Sequence, residues 1–147
     1  MNRKLIASVK KHEGYRTHAY QDTEGVWTVG YGHNLESHGV DPKYAQLIVV
    51  DEDKAERLLR DDLEECYALA RSSAEWDHFD TIVRRNVFVE MIFNLGYTRL
   101  LKFRRMRMAI ERHDWEGAAA EMLDSRWATQ VGARAKTLAS LMERGTY

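Results

Sequence analysis

Three residues near the N-terminus have the types and the spacing of acid–base chemistry. Glu13 falls four residues after Val9 and seven after Ile6, so on a helix it shares their apolar face. Asp22 stands nine residues further on in a turn, and Thr28 six beyond that on a strand. A carboxyl drawn partly out of water keeps its proton closer to neutral pH. A second carboxylate with a hydroxyl beside it can hold and activate a water molecule. Hydrolysis of a glycosidic bond needs such a division of labour. Each residue also has a plainer reading: a solvated Glu at a helix end, a turn-forming Asp, an ordinary β-branched strand residue. The chemistry belongs to the set and not to any one member.

These side chains need elements to position them. Residues 2–13 read as a helix, with Asn2 as cap, Leu5, Ile6 and Val9 at helical spacing, and Gly14 as stop. Residues 18–35 are rich in β-formers around Asp22-Thr23-Glu24-Gly25, which reads as a hairpin or small sheet. Along that strand Thr28 and Gly30 face one side, and Trp27, Val29 and Tyr31 the other. Gly30 and Gly32 then leave a bare face that admits a ligand. Residues 36–50 are irregular, and Asp51 caps a long helix reaching about Arg71. After Ser72-Ser73, an apolar segment from about Glu75 to Leu95 forms one helix or two, ending at Gly96. Short helices follow over about 97–102, 103–112, 114–123, 125–129 and 132–143, with Trp115, Trp127, Met122 and Leu123 as core anchors. The fold class is α+β: a mostly helical, two-lobed chain with a small N-terminal sheet, a long linking helix and a helical C-terminal lobe. It forms a single catalytic domain over 1–147. The β-containing lobe covers about 14–50, the linking helix 51–73, and the helical lobe 74–147 with helix 2–13 packed on it.

Two further charges fall on apolar faces. Arg134 lies four residues before Leu138 and seven before Leu141. A buried charge needs a partner, and Glu13 is a candidate; two unrelated snorkelling side chains are the alternative. Asp62 falls within the face drawn by Ala55, Leu58, Leu59, Leu63 and Cys66, and His33 is one candidate partner.

Composition narrows the class. The 147 residues carry 22 basic and 23 acidic side chains, a net charge of -1, so the chain is not a polycation that coats nucleic acid. Charge is unevenly spread: residues 51–80 hold eleven acids and four bases, residues 81–112 eight bases and two acids. The basic run around Phe103-Arg104-Arg105-Met106-Arg107 reads as a solvated face on a core helix, with a nucleic-acid or membrane-surface module as the rival. The single cysteine, Cys66, excludes an internal disulfide and multi-cysteine zinc modules. The six histidines show no His-Glu-x-x-His spacing, and neither metal nor organic cofactor is expected. No apolar run approaches a membrane span, and Leu5–Val9 is too short for a signal-peptide core. Synthesis in the bacterial cytoplasm is the expectation, without membrane insertion.

The segment His12-Glu13-Gly14, followed by Tyr20-Gln21-Asp22-Thr23-Glu24-Gly25-Val26-Trp27-Thr28-Val29-Gly30-Tyr31-Gly32-His33, resembles the phage-type lysozymes of glycoside hydrolase family 24. The Glu-x8-Asp-x5-Thr spacing of that family is intact. Phe93-Asn94-Leu95-Gly96, Ser125-Arg126-Trp127 and Ala133-Arg134-Ala135-Lys136 are similar to its downstream signatures, so the resemblance spans nearly the whole chain. It implies catalytic roles for Glu13, Asp22 and Thr28. It implies substrate contacts at Gly30, Leu35, Phe93 and Asn94, and structural pairs Arg134 with Glu13 and His33 with Asp62. It also implies a monomeric peptidoglycan muramidase, without nucleic-acid partners, that reaches the wall or periplasm once a holin-like protein has breached the membrane. A virion-borne lysozyme used at entry and a chitin-oligomer hydrolase are the alternatives.

Overall fold

The computed structural model describes residues 2–147. It is α+β, mostly helical, with one small antiparallel sheet near the N-terminus. The chain divides into two compact units, residues 1–64 and 65–147.

In the first unit, α1 (Arg3–Glu13) starts where the Asn2 side chain accepts from the Lys4 amide and stops at Gly14, whose φ is 72°. It buries Leu5, Ile6 and Val9, as their spacing requires. It belongs to the first unit. Lys10 ties it there, to Glu56 at 2.8 Å and over the Tyr31 ring. Strands β1 (Arg16–Gln21), β2 (Trp27–Gly30) and β3 (His33–Asn34) pair in chain order, with Tyr20 opposite Thr28 and Val29 opposite His33. The outer edge of β1 is covered: Ala19 donates to Ile48 and Val50 donates to Thr17. That pairing removes an open edge where another chain could add. A 3₁₀ turn (Glu36–His38) and α2 (Pro42–Ala45), capped by Asp41, lead to α3 (Glu52–Arg71). Asp51 caps α3 by accepting from the Lys54 amide at 2.7 Å. The boundary between the units falls inside this helix.

The second unit is helical. The apolar segment after Glu75 resolves into a 3₁₀ turn (Trp76–His78) and α4 (Ile82–Leu95), which begins where Thr81 caps the Arg84 amide. Helix α4 has apolar residues on several faces and is largely buried, with Val87, Phe88, Val89, Met91 and Ile92 in the core and Arg84, Asn86 and Glu90 buried beside them. Around it come α5 (Tyr97–Leu100), α6 (Arg104–Glu111), α7 (Trp115–Leu123), α8 (Arg126–Val131) and α9 (Ala133–Arg144). Met122 and Trp127 are core residues as expected, but Leu123 is 48% exposed and Trp115 is only half-buried. Leu123 is the last residue of α7, and Met122 already fills the inward position beside it. Trp115 instead stacks on Phe79 and lies beneath the Arg84 guanidinium.

Arg84 is buried and donates to three oxygens: Met142 O at 2.7 Å, Glu143 O at 2.6 Å and Asp80 Oδ1 at 2.8 Å. It thereby satisfies carbonyls that the last turn of α9 leaves without helical partners. On α6, Met106, Ala109 and Ile110 are buried while Arg104 and Arg105 face water, which is the solvated face read from the basic run.

Candidate active site

Glu13 is the last residue of α1 and is half-buried. Its carboxyl lies against the backbone of Gly32, where a Cβ would come within 2.5 Å of Oε1. Gly32 is thus bare to make room for Glu13, a reason that the strand pattern does not reveal. Gly30 is bare for another reason. A Cβ there would meet the Ala55 Cβ at 3.0 Å, so the gap read as space for a ligand is occupied by α3. Gly30 also has a φ of 65°, so the alternation of a regular strand ends there.

Asp22 sits in the β1–β2 turn. Its Oδ1 accepts from the Glu24 and Val26 amides, both at 2.9 Å, and its backbone N–H donates to Val26 O. These bonds fix the carboxylate and leave Oδ2 outside the turn's own network. Thr28 is buried and its hydroxyl donates to Val26 O at 2.9 Å. With its one proton used there, Oγ1 is left as an acceptor. Both side chains are therefore aligned by the same residue, Val26.

Tyr20 lies beside the candidate residues, and the motif spacing assigns it no role. Burial pushes its phenol above the ordinary value of 10.0, and the negative charges of Glu13 and Asp22 push the same way against Arg16. The Tyr20 ring therefore stands in the field of both carboxyls, packed under the Arg16 guanidinium at 4.2 Å. It stays protonated at neutral pH as a hydrogen-bond donor. Its register partner is Thr28, so the hairpin brings Tyr20, Asp22 and Thr28 together.

His33 and Asp62 lie 2.8 Å apart, Nδ1 to Oδ2, both buried. Arg134 is also buried and donates through Nε to Glu90 at 3.1 Å, a partner that the sequence pattern does not name. Glu90 was detectable, because it is the only acid in the apolar run of α4. Leu35, expected to touch substrate, is a core residue with 5% exposure, which leaves almost no side-chain surface for a sugar. Phe93 and Asn94 are half-buried, and Asn94 accepts from the Trp127 indole at 2.6 Å. Trp127 in turn lines a groove of about 480 Å³ with Leu95, Phe103 and Arg105.

No helix among the described residues is long and apolar enough to cross a membrane. The family model for phage lysozyme matches residues 10–146. The chain is 28% identical over 166 residues to a probable T4-type lysozyme of Dictyostelium discoideum, covering 97% of both chains. It is 27% identical over 149 residues to an endolysin of Acyrthosiphon pisum secondary endosymbiont phage 1, covering 98% of this chain and 91% of that one. An endolysin of Bacillus phage B103 is 48% identical over 62 residues, which is 41% of this chain and 21% of the relative. The family match takes in the helix end that carries Glu13, the hairpin and the whole helical unit, and the chain belongs to the phage lysozyme family as a lysozyme-type hydrolase.

Proposed function

We propose that the protein is a peptidoglycan muramidase of the endolysin type, hydrolysing the β-1,4 bond between N-acetylmuramic acid and N-acetylglucosamine with inversion. Glu13 gives its proton to the bridging oxygen as the bond to the sugar carbon breaks. A water attacks that carbon from the opposite face, and Asp22 Oδ2 takes the water's proton. Thr28 Oγ1 accepts a hydrogen bond from the same water and so sets its direction. An inverting pair stands about 6.5–9.5 Å apart to leave room for the water. Arg134 serves the Glu13 carboxyl as its cation, and Phe93 and Asn94 contact the glycan; these roles come from the family resemblance.

The observation that supports this reading is the way the hairpin commits its hydrogen bonds. Backbone amides occupy one oxygen of Asp22 and a carbonyl occupies the Thr28 proton, so each presents only acceptor capacity. Acceptors are what a nucleophilic water requires. In the cell the enzyme would serve host lysis and depend on a holin-like protein to reach the wall.

Purified wild type should clear a suspension of isolated peptidoglycan, and Glu13→Gln should lose more than about 10²-fold of that rate while melting at a similar temperature. Activity of Glu13→Gln within a few-fold of wild type removes Glu13 as the acid. Comparing intact wall with soluble chitin oligomers separates a muramidase from a chitin hydrolase.

A further inference from the structure

The chemistry proposed above makes no use of His33, His38 and Asp62, yet these three meet at one point of the first unit. A ligand atom from each lies within 4.8 Å of the other two. His33 belongs to β3 and is 6% exposed, and Asp62 belongs to α3 and is 8% exposed. His38 closes the 3₁₀ turn that follows β3, and it is open to solvent. Asp62 divides its two oxygens between the rings: Oδ2 faces His33 Nδ1 at 2.8 Å and Oδ1 faces His38 Nε2 at 3.4 Å. The ring centroids are 4.4 Å apart.

The far nitrogen of His38 indicates what the cluster is built for. Nδ1 lies 2.7 Å from Asn34 O. A carbonyl only accepts, so Nδ1 carries a proton. In the neutral ring the lone pair is then on Nε2, aimed at a carboxylate oxygen that is also an acceptor. Two acceptors facing each other call for a cation between them, either a proton on Nε2 or a metal ion. Metal-bound imidazoles regularly hold their outer N–H on a backbone carbonyl, which fixes tautomer and ring angle. Two ligands on a tetrahedral ion with bonds of 2.0–2.1 Å stand about 3.3 Å apart; His38 Nε2 and Asp62 Oδ1 are 3.4 Å apart, while His33 Nδ1 and Asp62 Oδ2, at 2.8 Å, must part by about 0.5 Å to admit the ion.

We propose that His33, His38 and Asp62 form a three-ligand site for a divalent transition-metal ion of the zinc class, with solvent in the fourth position. Two imidazoles and one carboxylate suit zinc and disfavour magnesium or calcium, which take oxygen ligands. This revises the expectation that the histidines hold no metal. His33 and His38 are five apart, a spacing with no helical or strand period. The 3₁₀ turn returns the second ring to the first. A bound ion would fasten that turn and β3 to α3, a structural role.

The test is calorimetric titration near neutral pH of chelator-stripped protein with zinc, and separately with magnesium. Thermal melts and the visible absorption of cobalt(II) accompany it. The expected result is one zinc ion per chain, no magnesium binding and a tetrahedral cobalt spectrum. At free zinc about 100 times its dissociation constant, the folded-to-unfolded ratio should rise about 100-fold. His38→Ala should abolish all of these, and it keeps the buried His33–Asp62 pair, so it folds even if Asp62→Asn does not. His78→Ala should leave zinc binding unchanged. Absence of binding at millimolar zinc overturns the proposal, and the histidine would then be an ion-pair partner of Asp62 only. Undiminished binding in His38→Ala also overturns it, by placing the ion elsewhere, for instance at His78 and His113, whose rings are 6.1 Å apart.

Discussion

Gly32→Ala should damage catalysis far more than folding. Two costs arise. The residue has a φ of 70°, where an L side chain is strained by roughly 1–2 kcal/mol. The new Cβ would also sit 2.5 Å from Glu13 Oε1, whereas ordinary contact begins at 3.4 Å, so the carboxyl must retreat by about 0.9 Å. Glu13 is a side-chain end and can move, so the overlap adds little to the folding cost. For an acid that must meet one oxygen, a shift near 1 Å can cost about 10²-fold in rate. The control is Gly39→Ala. Its φ is 85° and nothing lies within 4 Å of its Cβ, so it carries the backbone strain without the push. Both variants should lose about 2–8 °C in melting temperature. Only Gly32→Ala should lose peptidoglycan clearance, by about two orders of magnitude. A Gly32→Ala protein that clears wall as fast as Gly39→Ala would show that the Glu13 carboxyl does not need its place against Gly32.

Two further variants test the structure away from the site. Glu75 is 0% exposed and ion-pairs through Oε1 with Arg107, so Arg107→Met strands a buried carboxylate and should cost about 3–5 kcal/mol in a denaturant melt. Arg107→Met with Glu75→Gln should recover part of that loss, and an additive double mutant would show that the two do not interact. The hydrogen bond and charge of Lys10 hold Glu56 below its ordinary 4.5. A depressed carboxyl stabilises the fold above its unfolded value and loses that contribution as pH falls through the folded one. Wild type should therefore outlast Lys10→Met in thermal melts near pH 6, with the gap closing as pH falls below about 4. A gap that persists unchanged into strong acid would assign the effect to packing of the Lys10 stem.

What could be read in the sequence was whatever depends on local spacing. Asn2, Asp51 and Gly14 cap or stop helices because their side chains or backbone act within a few residues. Asp62 stands out on an apolar face, and its burial against His33 follows from that anomaly. Glu13, Asp22 and Thr28 stand out as a candidate set because the family spacing is intact. Features that depend on distant partners were hidden. Gly30 and Gly32 look equivalent on a strand, but one faces Ala55 and the other Glu13, 25 and 19 residues away. Arg134 on its inward face pointed to some acid; Glu90 stood out as the one acid of α4, but their pairing across 44 residues is set by packing. Leu35 could be assigned to substrate only by family analogy, and its burial comes from packing that no period encodes.

The Arg84 clasp has a consequence for how the chain is made. Its acceptors, Met142 and Glu143, lie 58 and 59 residues downstream. While α4 emerges from the ribosome, its guanidinium has none of these carbonyls to bind, and the apolar face beside it has no α9. The packing of α4 on α9 therefore forms only after Glu143 has been made, later than the α4–α5 and α6–α7 contacts. Until then the buried face of α4 is what a nascent-chain chaperone would meet.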